Sequence, residues 1–428
     1  MKTIVIADDI TGANDIGIMY AKAGLQTYVY NLDCLKEEEY PACDTLIVNT
    51  DSRFDRPDIA YRKVQRALEL VKRFGADQYV DKQCSVFRGN IGAEFDAMMD
   101  WLGINFAVVV LGFPENGRTT RHSIHYVWGT ELSRSQFRHD PVHPMMESDL
   151  TKILKAQTKR KVGAIWYETY DQGKEALEKA LRQAAQKFQY VIMDVRNDQD
   201  LVLLAEVLKD QKMICGSSAL SEFLARAESS QLQGGNAVRS VGNGKIWTVA
   251  GSLQPQTSAQ LDHMKSRGYT TLKMDVENLL DRDTRQKEVE KQIRLANEAY
   301  QRGETYVQLY SENEPDAVRK GKMMAEKRGI SNTSISTLVS ESLAQISRDV
   351  IRANTISNFI VCGGDTSAAI CRALGVKGMK VLKEIEAGLP VCESSGENLY
   401  RMVLKSGSFG SPEFLEEAME VLRRGELK

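Results

Sequence analysis

The seven cysteines of this chain (Cys34, Cys43, Cys84, Cys215, Cys362, Cys371 and Cys392) include no Cys-x-x-Cys pair. An odd, scattered set excludes a disulfide framework and a structural zinc site, and most of these residues read as small buried hydrophobes. Long hydrophobic runs are missing too. The longest, 106–113, is far too short to span a bilayer and has the pattern of a buried strand. Asp8 and Asp9 interrupt any signal-peptide core, so a cytoplasmic protein with no membrane partner is expected. No charge of one sign dominates: the net charge is -2, and no basic run carries interleaved aromatics, which removes the footprint of a nucleic-acid binder. A Walker A sequence is absent, and the one Gly-x-Gly followed by lysine, Gly242-Asn243-Gly244-Lys245, precedes its strand. No Gly-x-Gly-x-x-Gly follows a strand, which disfavours a nicotinamide-dependent dehydrogenase, and no Gly-x-Ser-x-Gly elbow supports a serine hydrolase.

What is present is the balance of an ordinary globular chain, 42% hydrophobic and 27% charged, at a length of 428 residues that exceeds one hydrophobic core. Apolar β-rich runs at 45–48, 78–80, 106–111 and 190–193 alternate with amphipathic stretches such as 59–74 and 94–102, which is βαβ punctuation. Between 229 and 244 the composition turns small, polar and glycine-rich, as in an interdomain linker. Alternation then restarts, with strands at 245–250, 306–309 and 359–362 and a helix from about Gln254. The expected architecture is α/β: two Rossmann-like α/β domains, 1–228 and 245–428, with a ligand cleft between them.

The opening apolar run 3–7 stops at Asp8-Asp9-Ile10-Thr11-Gly12 and is followed by a helical pattern, which puts two carboxylates at the end of a strand. Ligands of open α/β sheets bind beyond the carboxyl ends of strands. Asn14 or Asp15 is expected to cap the following helix. Three other strand ends collect Thr50-Asp51-Ser52-Arg53, the segment Asp81-Lys82-Gln83-Cys84-Ser85-Val86-Phe87-Arg88-Gly89-Asn90, and Gly112-Phe113-Pro114-Glu115-Asn116-Gly117-Arg118-Thr119-Thr120. Arg53, Lys82, Arg88 and Arg118 beside two acids suit a small hydroxylated anion, because a guanidinium matches a carboxylate in a bidentate fork; surface ion pairs are the plainer alternative.

In the second half, Ile360-Val361-Cys362-Gly363-Gly364-Asp365-Thr366 runs from a strand through glycines into a helix. The glycines allow a ligand close to backbone N–H groups, and a helix N-terminus favours phosphate; the alternative is a plain turn capped by Asp365 or Thr366. Gly251-Ser252 and Lys405-Ser406-Gly407-Ser408-Phe409-Gly410 have the same character, and the three turns are candidates to converge on one phosphate chain. His122, His125, His139 and His143 have metal-like spacings, but Pro141 and Pro144 break the second pair and no metal ligand is assigned.

Taken in order along nearly the whole chain, these segments resemble the four-carbon acid sugar kinases. The likeness rests on 7–13, 82–90, Phe113-Pro114 through Thr120, Asp140-Pro141, Gly251-Ser252 with Thr257 and Gln260, 363–366 and 405–410. It implies an N-terminal sugar-acid domain, a C-terminal nucleotide domain, and ATP-dependent phosphorylation of threonate, erythronate or an oxo derivative, with Mg²⁺. It further implies that Ser252, Gly363, Gly364, Asp365, Thr366 and Gly407 contact ATP, while Asp8, Asp9, Arg53, Lys82 and Arg88 face the substrate. Phosphoryl transfer needs a carboxylate to orient the attacking hydroxyl. Asp9, then Asp8, is the candidate for that role, with Arg88 in the catalytic group and Ser85 and Arg118 beside the substrate. Cys84, Val86 and Phe87 stand where the family carries Asp, Thr and Leu, and Ser406 and Ser408 where it tends to carry proline and glycine. These departures leave the sugar acid open and motivate the alternative of a non-catalytic nucleotide or metabolite binder. The expected partner is a small molecule, and a homo-oligomer is compatible with the sequence.

Overall fold

The computed structural model describes residues 2–36, 40–140, 142–228, 243–252, 254–312, 331–395 and 398–424, with 319, 323 and 324. The chain divides into two compact units, Met1–Gly235 and Asn236–Lys428. Nearly all of the expected linker at 229–244 lies outside the described residues.

The first unit opens with β1 (Thr3–Ala7), α1 (Ile10–Lys22), β2 (Thr27–Asn31), β3 (Thr45–Asn49), α2 (Pro57–Leu70), β4 (Gln78–Lys82), α3 (Ile91–Leu102) and β5 (Ala107–Val110). A small antiparallel sheet follows, β6 (Arg118–Arg121), β7 (Ile124–Val127) and β8 (Thr130–Glu131). The unit ends with α4 (Leu150–Lys155), β9 (Val162–Ile165), α5 (Tyr167–Tyr170), α6 (Lys174–Ala185), β10 (Tyr190–Met193), α7 (Asp198–Leu208), β11 (Met213–Gly216) and α8 (Ala219–Glu228). Its eight-stranded sheet runs β2-β3-β1-β4-β11-β5-β10-β9, every pair parallel. Strands covered on both faces must be apolar throughout, which is why β1 reads Ile4-Val5-Ile6-Ala7 with no exposure.

Register is what builds a site here. Ala7 lies opposite Asn49 on β3 and Lys82 on β4, so three strands end level and their loops open on one edge. The helix after β1 begins at Ile10 with Asp9 as its N-cap, earlier than the expected cap at Asn14 or Asp15. Asp9 is the better cap physically: its carboxylate accepts the Gly12 N–H at 2.7 Å from extended backbone.

The second unit carries β12 (Ile246–Ala250), α9 (Pro255–Ser266), β13 (Thr270–Met274), α10 (Arg282–Gln301), β14 (Tyr306–Ser311), α11 (Asn332–Ala353), β15 (Asn358–Cys362), α12 (Gly364–Leu374), β16 (Gly378–Glu386), β17 (Leu389–Ser395), β18 (Arg401–Lys405) and α13 (Phe414–Arg424). Its strands run β13-β14-β12-β15-β18-β17-β16, parallel as far as β18 and antiparallel beyond. The β16–β17 hairpin makes the sheet mixed. Again the ends are level: Ala250 pairs with Cys362, and Cys362 with Lys405, so the three glycine-bearing turns leave one edge side by side. No helix among the described residues is long and apolar enough to cross a membrane.

Candidate functional site

At the level edge of the first unit, Arg53 grips two neighbouring carboxylates. Its Nε and Nη2 donate to Asp8 Oδ2 and Oδ1, both at 2.7 Å, and its Nη1 donates to Asp9 Oδ2 at 2.6 Å. All three residues are buried. Breaking such a buried pair by removing one partner costs about 3–5 kcal/mol, so Arg53 holds this edge together as well as charging it. The two acids then diverge. Burial pushes the Asp8 carboxyl above its ordinary value, with the Arg53 charge opposing. Burial also works against Asp9, but Arg53 and Lys82, aided by the Gly12 N–H, outweigh it and hold that carboxyl below its ordinary value. Asp9 is the more open of the two, its side chain 10% exposed where that of Asp8 is fully covered.

Lys82 ends β4 and points under α1, 3.1 Å from Asp15 Oδ2, while Ser218 Oγ donates to the same oxygen at 2.7 Å. Gly12 lets these groups meet: a Cβ there would come within 2.6 Å of Asp9 Oδ1 and 3.3 Å of Lys82 Nζ. The sequence offers Asn14 or Asp15 as the cap; Asp15 is instead the anchor of Lys82. A signal was available, since Thr11, Asn14 and Asp15 place buried polar groups on one face of an otherwise apolar helix.

Arg88 sits further along the same loop. It pairs with Asp140 through Nη1, donates from Nε to Cys84 Sγ at 3.4 Å, and lies 5.6 Å over the Phe137 ring. Burial raises the Cys84 thiol, but the Arg88 and Arg53 guanidiniums prevail and hold it below its ordinary value. The loop closes tightly, with Phe87 at φ 58° and Gly89 at φ 111°. A Cβ on Gly89 would lie 3.3 Å from Arg53 Cγ. The Ser85 carbonyl accepts from His125 Nε2 at 2.9 Å. Arg118 stands on β6, buried, with its Nη1 donating to the Asn116 carbonyl, and burial lowers its pKa to about 10. Asp8, Asp9 and Arg53 are therefore directly joined, Lys82 borders them across Gly12, and Arg88 and Arg118 reach the cluster through charge.

Behind it lies a layer that sequence reasoning missed. Gln83 Nε2 donates to Asp81 Oδ1 at 2.6 Å and Glu94 Oε2 at 2.8 Å, and Ser52 Oγ donates to Glu94 Oε1 at 2.8 Å. Asp81, Gln83 and Glu94 have no exposure. Burial, and then the neighbouring Asp8, push Asp81 to about 8 and Glu94 well above its ordinary value.

The second unit brings its glycine turns together in one cradle. A Cβ on Gly251 would lie 2.1 Å from Thr366 Oγ1, and one on Gly407 would lie 1.9 Å from Ser252 Oγ. Gly363, at φ 121°, would carry a Cβ 3.5 Å from Ser252 N. The turns at Gly251-Ser252, Gly363-Gly364 and Gly407 thus touch one another. Gly363, rather than Asp365 or Thr366, is the N-cap of α12, so the N-terminus of that helix, with its N–H donors, begins at this convergence. One face of α9 staples the last turn: Thr257 Oγ1 donates to Gly407 O at 2.8 Å, and Gln260 Nε2 to Phe409 O at 3.1 Å and Ser411 O at 2.8 Å. The spacing Thr257-x-x-Gln260 was the sequence signal for it.

The histidines do not form a metal centre. His125 is buried, its pKa pushed down to about 3 by that burial, and bonds Thr120 and Ser85. His143 stacks on Phe54, while His122 contacts Glu168 and Trp166. Among the described residues no group of three or more His, Cys, Asp or Glu side chains is placed to hold a metal ion.

Known proteins correspond to both units. Residues 3–224 match a "Sugar-binding N-terminal domain" and residues 247–415 a "Nucleotide-binding C-terminal domain". A 3-oxo-tetronate kinase of Brucella melitensis is 31% identical, over 98% of this chain and 96% of its own. One from Haemophilus influenzae is 28% identical, over 97% and 98%. Among solved structures, a Salmonella typhimurium LT2 protein superposes with a TM-score of 0.81 at 29% identity, over 97% of this chain and 98% of its own. A Haemophilus influenzae protein of a domain-of-unknown-function family does so with a TM-score of 0.72 at 27% identity, over 98% and 100%.

Proposed function

The chain belongs to the four-carbon acid sugar kinase family, and we propose that it transfers the γ-phosphoryl group of ATP to a hydroxyl of a four-carbon sugar acid, with an oxo-tetronate, threonate and erythronate as the candidate acceptors. The observation that carries this reading is the Arg53 fork on Asp8 and Asp9 with Lys82 alongside: one ionised carboxylate held among fixed cations.

In this reading Asp9 accepts the proton of the substrate hydroxyl as its oxygen bonds to the γ-phosphorus and the bond from that phosphorus to the bridging oxygen breaks, releasing ADP. Asp8 keeps Arg53 in place. Lys82 and Arg88 meet the sugar-acid carboxylate or the transferring phosphoryl group, and Ser85 and Arg118 line the acceptor. Ser252, Gly363, Gly364, Asp365, Thr366 and Gly407 bind the nucleotide. The convergence of the turns suits a phosphate chain: a Cβ on Gly363 would stand 3.5 Å from the Ser252 N–H, and Gly251 and Gly407 let the Thr366 and Ser252 hydroxyls close in beside it. Mg²⁺ bound with the nucleotide would supply charge neutralisation of the phosphates, and such an ion, held largely by phosphate and water, would need only one or two carboxylates.

The test is ADP release with ATP and Mg²⁺ across D- and L-threonate, D- and L-erythronate and their oxo derivatives. Turnover with one member identifies both activity and substrate. Silence across the panel with ATP still bound favours a non-catalytic binder, and Cys84, which fills an acid position of the family, favours that second reading most. Cys84→Asp then decides: restored turnover identifies an enzyme disabled or redirected at one side chain.

A further inference from the structure

Lys405 is the last residue of β18, fully buried, and its backbone carbonyl accepts the Gly363 N–H at 2.9 Å. Its ammonium donates to Thr257 Oγ1 at 3.1 Å, and that hydroxyl spends its own proton on Gly407 O at 2.8 Å. The lysine therefore bonds the Gly363 turn through its backbone and is linked to the Gly407 turn through the Thr257 hydroxyl. Among the described residues no carboxylate forms an ion pair with it, and its other two N–H bonds have no acceptor. Burial lowers its pKa, against weaker opposing influences from Cys362 across the β15–β18 ladder and from Glu386. Glu386 is engaged elsewhere, accepting from Ser411 N at 2.8 Å and Ser411 Oγ at 2.6 Å.

A buried ammonium with one neutral hydrogen-bond partner is costly to a fold, and a residue chosen only to prop a loop need not be charged. We propose that Lys405 is a nucleotide-binding residue, the fixed positive charge that meets the phosphate chain of ATP at the convergence of the Gly251, Gly363 and Gly407 turns. This rests on the nucleotide reading of the second unit. Thr257 orients the ammonium and ties it to the carbonyl of the Gly407 turn.

The experiment is equilibrium binding of ATP, ADP and adenosine to the full-length wild type and to Lys405→Met, together with the thermal midpoint of each without ligand. Lys405→Met keeps the length of the side chain and removes the charge. The expected result is a loss of ATP and ADP affinity of about tenfold to a hundredfold, the scale of one charged hydrogen bond. Adenosine binding should be unchanged and the unliganded midpoint unchanged or higher. Equal ATP affinity in the variant overturns the inference and leaves the nucleotide reading intact. So does a lowered midpoint with equal losses for ATP and adenosine, since that is the behaviour of a loop prop. A wild type that binds no nucleotide overturns the underlying reading, and the inference with it. If Lys405→Met does not fold, Lys405→Arg decides: wild-type affinity for ATP should fall as pH rises and the lysine loses its proton, and the arginine variant should hold its affinity over the same range. An identical pH profile in the two proteins overturns the inference.

Discussion

At the scale of single residues, the two neighbouring acids show how environment separates like groups. Asp8 and Asp9 share one guanidinium, yet Asp8 is enclosed and pushed up while Asp9, capping a helix and flanked by Lys82, is held down. Asp9 is the one available as an ionised acceptor at neutral pH. Asn is as good an N-cap as Asp, so Asp9→Asn should keep α1 and the fold while removing the proton acceptor. We expect kcat to fall about 10²- to 10⁴-fold with a retained circular dichroism spectrum. Full turnover by this variant would move the role to Asp8.

The buried acids behind the site make a second prediction at this scale. For Asp81 the folded value, about 8, lies above the ordinary 3.8. Between those limits the folded protein binds more protons than the unfolded chain, so this group makes stability fall as pH rises from about 4 towards 8. Asp81→Asn cannot ionise. Denaturant unfolding measured at pH 5 and at pH 8 should show a shallower loss of stability in the variant than in the wild type; equal slopes would mean that Asp81 ionises freely when folded. Glu94 acts in the same direction and remains in both proteins.

At the scale of elements, parallel register does the assembling. Strands that pair in parallel and end level put their following loops together, whatever their separation in sequence: Asp8, Arg53 and Lys82 in one unit, Ser252, Gly363 and Gly407 in the other. The glycines then set how closely those loops approach. Gly407→Ala places a methyl group inside contact distance of both Ser252 Oγ and Ser252 Cβ, at 1.9 and 2.9 Å. Overpacking of this kind costs about 1–3 kcal/mol. We expect Gly407→Ala to fold with a lower thermal midpoint and to lose ATP binding, and Gly407→Ala with Ser252→Gly to recover most of the lost stability by vacating the clash. A double variant no more stable than the single one would show that Ser252 is not what Gly407 accommodates.

At the scale of the whole molecule, two units with separate cores, one around β1 and β4 and one around β12 and β15, predict that ligands act on separate parts of the chain. A ligand present at a hundredfold excess over its Kd stabilises the folded state by about 2.7 kcal/mol. Hydrogen exchange should show ATP slowing amides at 251–252, 363–367 and 405–411, and the accepted sugar acid slowing those at 8–15, 50–53 and 82–90. Protection of the first set by the sugar acid alone would reverse the assignment of the units.

Much of this is legible in the sequence alone. Alternating periodicity encodes which faces are buried, so strands at 45–48, 78–80, 190–193 and 359–362 were readable within a residue or two. Glycines and acids at strand ends stood out because an apolar run stops abruptly there, and the order of the motifs pointed to the family. Sequence by itself thus determined the α/β class, the strand-end candidates and the glycine turns, all of them local properties of short segments. Only the tertiary structure decided that Arg53 closes on both acids, that Asp15 anchors Lys82, that β11 enters the sheet between β4 and β5, and that Lys405 lies buried against Thr257. Each of these joins residues far apart in the chain, and sheet order and register, set by non-local pairing, determine which strand ends become neighbours.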